Sequence, residues 1–203
     1  MKTPDLVFRG RRLSSDHALM LVKVEPLPSA RETIRRASGD GADLVVIGGD
    51  EPESLIEWAR ETFPGLVVGV AAERADVARA ACSAGAELID SPGQFFEVAV
   101  EFGAGYVGPD VDGAVAAGVP REGVVLDGGV VGPPGSLPVM DGWPVAVGVA
   151  GDGTPGGLAV AALAASAGVT IIRTAHVRRT RHAVEMAASI AGTRPPAKAV
   201  RWE

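Results

Sequence analysis

The chain has 203 residues, a formal net charge of −6 and an apolar fraction of 47%, to which aromatic residues contribute little. This length allows one domain with a sizeable core, and the composition requires that core to be built from Val, Ala, Leu and Ile. The acidic balance argues against a nucleic-acid surface, and a single cysteine, Cys82, excludes an internal disulfide and a zinc cage of cysteines. No apolar run reaches membrane-spanning length and nothing marks secretion, so we expect a cytoplasmic protein without membrane contact.

The first predicted element is an extended N-terminal segment, residues 4–13, which we expect to form a small hairpin that plugs one end of a barrel. A unit then recurs in which a short apolar, β-branched run precedes an Ala- and charge-rich helical stretch. The predicted strands are eight such runs, residues 18–24, 43–48, 66–70, 87–90, 105–107, 124–127, 144–149 and 170–174. The predicted helices are residues 29–39, 53–62, 73–84, 94–102, 111–117, 155–167 and 178–191.

Several predicted strands are apolar throughout rather than alternating, which is typical of parallel strands covered on both faces by crossover helices. Eight such strands predict an α/β fold, a compact (β/α)8 TIM barrel, as a single domain over residues 1–203. Barrels of this type run from about 200 to over 400 residues, so we expect shortened crossovers, above all at 111–117 and in the Pro- and Gly-rich segment 128–142. A doubly wound open sheet is the alternative.

The Gly-rich turn 151–157 precedes a predicted helix, and Thr154 before Pro155 suits an N-cap with proline at the first helical position. Backbone N–H groups at such a turn are able to cradle a phosphate, which makes Gly153 and Thr154 candidate anion-binding residues. Arg178 is a third, because a cation in the first turn of a helix opposes the helix dipole unless an anion is near. The alternative is a solvated helix face without a ligand.

The last predicted strand ends in an arginine, Arg173, within the segment 168–179. In alternating β/α proteins the C-terminal ends of the strands are where ligand sites form. Asp127, Asp90 and Lys23 also lie at or near the ends of predicted strands, so these four side chains are candidate ligand-binding groups. The alternative is a structural ion pair between Arg173 and Asp127, within a cluster of charges that neutralise one another.

Seven sequence motifs follow one another along the chain in a fixed order. FRGRRL and ALMLVKVEPLPS are followed by GADLVVIGGD, ADVARAACSAGAELID, AAGVPREGVVLDGG, PVAVGVAGD and finally IIRTAHVRRTRHAVEM. This order resembles the dihydropteroate synthase family, the pterin-binding barrel of folate synthesis, over nearly the whole chain. The resemblance implies a transferase that condenses a pterin pyrophosphate with p-aminobenzoate. It implies no resident cofactor, with Mg²⁺ as a candidate only for an active enzyme.

Several positions depart from the pattern of that family. The resemblance aligns the first-strand Asn with Lys23, the third-strand Asp that grips the pterin with Ala71, and the fourth-strand Asn with Asp90. It also aligns the seventh-strand Lys with Asp152, which reverses the charge where a pyrophosphate leaving group is stabilised. We therefore expect a dihydropteroate-synthase-like barrel without synthase activity and without a confident catalytic residue. We expect it to act as a binding or partner subunit for a pterin, another small molecule or a protein.

Two further hypotheses stay open at this point. In the first, the barrel is an active transferase whose pocket is rebuilt from the surviving Arg173 and Asp127 together with Lys23. In the second, Asp90, Asp127 and Asp152 support a different chemistry, with a divalent metal ion. No histidine has a trustworthy metal-ligand spacing to another ligand.

The last two predicted helices, residues 155–167 and 178–191, are rich in alanine. Small side chains allow close helix packing, so these helices are the predicted contact in a homodimer.

Overall fold

The structure is a computed structural model that describes residues 5–132 and 142–193. Its strands are β1 Leu6–Phe8, β2 Arg11–Leu13, β3 Leu19–Val24, β4 Leu44–Ile47, β5 Val67–Ala71, β6 Leu88–Asp90, β7 Gly105–Gly108, β8 Val124–Val131, β9 Val145–Val149 and β10 Ile171–Arg173. Its helices are α1 Ala30–Gly39, α2 Glu53–Thr62, α3 Ala75–Ser83, α4 Phe96–Phe102, α5 Val111–Ala116, α6 Pro155–Ser166 and α7 Val177–Ile190, with a 3-10 turn at Arg121–Gly123.

Strands β3 to β10 form a closed barrel in which every neighbouring pair is parallel. The barrel closes because β10 pairs with both β9 and β3, so that Ile171 lies between Ala146 and Leu19. The predicted TIM barrel is therefore confirmed, and the open-sheet alternative is wrong.

The shortened crossovers are also present. Helix α5 has only six residues. Within the described residues no helix connects β8 to β9, although residues 133–141 of the predicted 128–142 crossover lie outside the described part. Strand β8 continues to Val131 instead of ending at Asp127, because a bulge between Asp127 and Val130 absorbs the glycines there. Gly129 has a φ of 67°, which only glycine adopts readily.

Two apolar layers stabilise the barrel. Outward-facing strand residues pack under the helices, and inward-facing residues fill the barrel interior together with Leu6 and Phe8 of the β1–β2 hairpin. Both hairpin residues are fully buried, and burial of side chains of this size contributes about 1.5–3 kcal/mol each. The hairpin thus plugs one end of the barrel as predicted.

One buried carboxylate helps to hold the hairpin in place. The Nε of Arg11 on β2 donates to Oε1 of Glu87 at 2.8 Å, and Glu87 is buried immediately before β6. The hairpin therefore covers the N-terminal ends of the strands, and the C-terminal ends of the strands form the open end of the barrel. No helix in the described part of the chain is long and apolar enough to cross a membrane.

Candidate functional site

A cavity of about 590 Å³ lies at the C-terminal ends of the barrel strands. It is lined by residues in or just after seven of the eight barrel strands: Lys23, Glu25, Gly48, Gly49, Asp50, Ala71, Ala72, Glu73, Arg74, Val77, Asp90, Pro92, Asp127, Gly129, Val130, Gly148 and Arg173. All four predicted ligand-binding candidates are in this set. A volume of this size is typical of small-molecule sites.

Arg173 lies at the floor of the cavity between two carboxylates. Its Nη1 donates to Oδ1 of Asp127 at 2.8 Å and its Nη2 donates to Oδ1 of Asp90 at 3.1 Å. The backbone carbonyl of Ala146 accepts a longer bond of 3.4 Å from Nη1. The side chains of Arg173 and Asp90 are 19% and 17% exposed, so this contact is largely desolvated. The predicted Arg173–Asp127 ion pair is present, and Asp90 joins it.

Burial affects the pKa values of these groups in opposite senses. Burial lowers the pKa of Arg173, but Asp90 and Asp127 outweigh it and raise that pKa above its ordinary value. Burial raises the pKa of Asp90 more than the charge and hydrogen bond of Arg173 lower it, and repulsion from Asp127 raises that pKa further. Two carboxylates therefore share one cation at the cavity floor.

Lys23 lies at the exposed rim rather than at the floor. Its Nζ is 3.7 Å from Oε1 of Glu25, and the side chains are 58% and 60% exposed. Exposed pairs of this kind contribute little to stability. Lys23 therefore lines the cavity without a direct bond to Asp90 or Asp127, which corrects the expectation of one continuous charge cluster.

Arg74 is a rim residue that the sequence analysis missed. It forms a two-point contact with Asp76 and lies 3.6 Å from Asp50. The hydrogen bond from Arg74 lowers the pKa of Asp76 to about 2. Asp50 and Glu73 share its position just after a barrel strand, so the rule that ligand groups follow parallel strands was the signal available in the sequence.

The comparisons with known proteins come from relatives and from solved structures, while no family model matches the chain. The chain is 31% identical to inactive dihydropteroate synthase 2 of Mycobacterium bovis, in an alignment that covers 95% of this chain and 89% of the relative. The chain belongs to the dihydropteroate synthase family.

Solved structures agree with this assignment. The structure of Mycobacterium tuberculosis Rv1207 superposes with a TM-score of 0.82 at 35% identity, covering 96% of this chain and 100% of that one. The dihydropteroate synthase of Yersinia pestis shares the fold, with a TM-score of 0.75 at 21% identity and coverage of 93% and 98%. The Mycobacterium bovis alignment runs over 282 residues, more than this whole chain, so that relative carries insertions absent here.

Ala71 occupies the place on the cavity wall where the resemblance to dihydropteroate synthases aligns a pterin-gripping Asp. It lies at the end of β5, in register with Asp90 on β6. Its methyl group accepts no hydrogen bond. Asp90 lies beside it, but its Oδ1 is bonded to Arg173.

Asp152, which the resemblance aligns with the lysine of these synthases, does not line the cavity. Its Oδ1 accepts from the Thr174 hydroxyl and its Oδ2 from the Ala175 backbone N–H, both at 2.7 Å. The Thr174 hydroxyl also contacts Thr180 of α7 at 3.0 Å. Asp152 therefore joins the loop after β9 to the loop after β10. The expected group of Asp90, Asp127 and Asp152 is wrong, and the described residues contain no group of three or more potential ligands placed to hold a metal ion.

None of the three anion-binding candidates lines the cavity. Thr154 caps α6 as predicted: its hydroxyl accepts from Gly157 N–H at 3.1 Å and donates to the Gly151 carbonyl at 2.6 Å. A side chain at Gly153 would collide with the ring of His176. Arg178 pairs with Asp40 at 2.8 Å. Anion binding at this turn stays a prediction, with Thr154 and Arg178 already engaged.

Proposed function

We propose that this chain is a dihydropteroate-synthase-family barrel that lacks synthase activity and acts as a binding or partner subunit. The observation that carries the proposal is the position of Asp152. A carboxylate stands where the resemblance aligns the lysine that faces the leaving pyrophosphate, and it is fixed by Thr174 and Ala175 instead of entering the cavity. The relatives named inactive dihydropteroate synthase 2 point the same way.

Two further features of the cavity support the loss of activity. Ala71 removes an acceptor from the pterin edge, and a lost partner of this kind reduces binding by about 1–3 kcal/mol. Arg173 has both terminal nitrogens bonded to carboxylates. An incoming pyrophosphate ester would have to break these bonds and approach Asp90 and Asp127, so the electrostatic stabilisation of the leaving group is absent.

The direct test is turnover. Purified protein incubated with a 6-hydroxymethylpterin pyrophosphate and p-aminobenzoate should release no pyrophosphate above the enzyme-free rate, while the Yersinia pestis synthase serves as the positive control. Calorimetry should find no binding of the pterin pyrophosphate at micromolar concentration. Turnover, or binding tighter than micromolar, would contradict the proposal.

The second candidate function is an active transferase with a rebuilt pocket. It is favoured by one observation: Arg173, Asp127 and Lys23 all line the same cavity of about 590 Å³. In this case turnover would appear in the experiment above, and Mg²⁺ would be a candidate cofactor.

As a partner subunit, the chain is proposed to form a homodimer through α6 and α7. Leu163 on α6 and Met186 and Ile190 on α7 are 64%, 67% and 80% exposed, and the two helices pack side by side. Met186 and Ile190 are one helical turn apart and so share a face. A two-fold axis at this face would bury the same apolar patch on both copies, as isologous dimers do.

Sedimentation at micromolar concentration tests the dimer. The unaltered chain should sediment as a dimer, and a Met186→Lys, Ile190→Lys double variant as a folded monomer. Leu27→Lys is the matched control, since Leu27 is also 60% exposed but lies in the loop after β3. A monomeric unaltered chain would contradict the homodimer and leave a different partner protein as the occupant. The cytoplasmic location, the lack of a cofactor and the single domain over residues 1–203 stay predictions.

A further inference from the structure

The charges that line the cavity are unbalanced. Five carboxylates face three cations: Glu25, Asp50, Glu73, Asp90 and Asp127 against Lys23, Arg74 and Arg173. Each cation is already paired with at least one carboxylate. An anionic ligand would therefore find no uncommitted cation among the described lining residues.

The imbalance matters most at the floor, where solvent screens least. The rim pairs of Lys23 and Arg74 are exposed, so water and salt weaken their fields. At the floor, Asp90 and Asp127 share the single guanidinium of Arg173. A net negative charge thus remains around Arg173, where the side chains of Arg173 and Asp90 are 19% and 17% exposed and that of Asp127 is 36% exposed.

The two floor carboxylates also keep free acceptor atoms. The hydrogen bonds that described residues make to them, from Arg173 and from the backbone N–H of Gly129, all go to the Oδ1 atoms. The Oδ2 atom of Asp90 and that of Asp127 are therefore both left to accept from a ligand. Charge-assisted hydrogen bonds to carboxylates are among the strongest in proteins.

The walls next to these acceptors are apolar. Ala71, Ala72, Val77 and Pro92 lie on one side and Val130, which is 74% exposed, on the other. An exposed valine beside a cavity is able to cover the apolar body of a bound molecule.

We propose that the cavity binds a small planar organic cation with N–H donors, of the amidinium or guanidinium type, against Asp90 and Asp127. The inference rests on the proposed function, because an active synthase would bind an anionic pyrophosphate ester in the same cavity. It names the ligand class of that binding subunit: the cationic end pairs with the Oδ2 atoms and the apolar end lies between Pro92 and Val130.

The electrostatics of Asp90 support this ligand class. Burial raises the pKa of Asp90, Asp127 raises it further, and Arg173 and Lys23 oppose the shift without cancelling it. A bound cation would supply the missing positive charge and lower that pKa. Binding of the cation should therefore strengthen as the pH rises through the pKa of Asp90, because only the ionised carboxylate attracts it.

Three probes of the same shape and different charge test the inference: benzamidine as the cation, benzamide as the neutral form and benzoate as the anion. With the full chain at pH 7.5, benzamidine should raise the melting temperature and give a calorimetric dissociation constant at least tenfold lower than that of benzamide. Benzoate and inorganic pyrophosphate should have no effect. Binding of benzoate as tight as that of benzamidine, or tighter, would overturn the inference. Failure of benzamidine to bind at about 10 mM, a concentration at which even weak binding is detected, would overturn it too.

Variants locate the binding. Asp90→Asn and Asp127→Asn should each weaken benzamidine binding about tenfold, whereas Glu61→Gln, an equal charge change on α2 outside the cavity, should leave it unchanged. Undiminished binding by both Asn variants would overturn the inference. If a variant fails to fold, the binding of the three probes to the unaltered chain still tests the inference.

The two proposals fail in different ways. Synthase turnover by the unaltered chain would end the proposed function and this inference together. Absence of turnover with a preference for benzoate would end the inference alone.

Discussion

Arg173 is the residue on which the charge balance of the cavity depends. Arg173→Met leaves Asp90 and Asp127 without their shared cation, where the side chain of Asp90 is 17% exposed and that of Asp127 is 36% exposed. Loss of one partner from a buried ion pair costs about 3 kcal/mol or more in the free energy of unfolding at neutral pH. The loss should be smaller near pH 4, where protonation of Asp90 removes the repulsion. Urea melts at pH 4 and pH 7.5 measure both values.

Lys23→Met is the matched control for that substitution. Its pair with Glu25 is exposed, so its removal should change stability by less than about 1 kcal/mol at either pH. An equal loss for Arg173→Met at the two pH values would show that packing of the side chain, rather than its charge, is what matters.

Asp90 gives a separate pH prediction. Its folded-state pKa is raised by burial, so its protonated form stabilises the fold. That contribution is complete below the unfolded pKa of about 3.9 and is lost as the pH rises through the folded pKa. In Asp90→Asn the side chain no longer titrates, so the unfolding free energy of the variant relative to the unaltered chain should rise from pH 4 upward. A constant difference between pH 4 and pH 7 would contradict the raised pKa.

The site residues show how far sequence reasoning reaches. Asp90 and Arg173 end their strands and Asp127 lies within one, so pleating and barrel geometry fix where their side chains lie, and the sequence predicts their meeting. Asp152 lies three residues past the end of β9, where no periodicity fixes direction, and its side chain bonds Thr174 and Ala175 instead. The exact partners of Lys23 depend on long flexible side chains, which the sequence does not position.

At the scale of elements, the hairpin β1–β2 stabilises the barrel by filling its closed end. Phe8 is fully buried and packs against Gly105 at the start of β7, where a Cβ atom would collide with its ring. Phe8→Ala should cost about 3–5 kcal/mol, and Gly105→Ala about 1–3 kcal/mol through overpacking. In the double variant the second substitution should cost less than it does alone, because the alanine methyl then occupies space that the ring has left. Denaturant melts of the four proteins give the coupling energy.

Additive effects would contradict the packing of the hairpin against β7. Gly10→Ala in the hairpin turn is not a suitable control, since the φ of 80° there strains any side chain. Gly39→Ala is better matched: it lies at the end of α1, and a Cβ there meets no atom within 4 Å. It should show no coupling to Phe8→Ala.

The elements themselves were largely predictable because parallel strands and their helices differ in apolar pattern. The exception is β8, whose continuation past Asp127 was missed. The pair Gly128 and Gly129 is typical of a strand end, yet here it forms a bulge and the ladder resumes at Val130. Sequence patterns carry no signal for such a bulge until the neighbouring strand is known.

At the scale of the whole molecule, closure of the barrel pairs its first strand, β3, with its last strand, β10, and α7 stabilises that closure. Arg181 of α7 reaches back to the loop before β4, where its Nη2 donates to Oδ2 of Asp43 at 2.6 Å and to the Gly41 carbonyl at 2.7 Å. The same Asp43 oxygen accepts from the backbone N–H of Met20 on β3 at 2.7 Å. One carboxylate thus connects the C-terminal helix to the first barrel strand.

Arg181→Met should therefore weaken the molecule as a unit rather than release α7 alone. We expect a loss of about 2 kcal/mol, the usual size for hydrogen bonds to a charged group. Far-UV circular dichroism and tryptophan fluorescence should still give coincident transitions, shifted by the same amount, because a closed barrel has no free edge at which to open first. Arg178→Met is the control, since its pair with Asp40 is more exposed and its loss should be below about 1 kcal/mol. A helical signal that melts before the fluorescence signal would show instead that α7 detaches from an intact barrel.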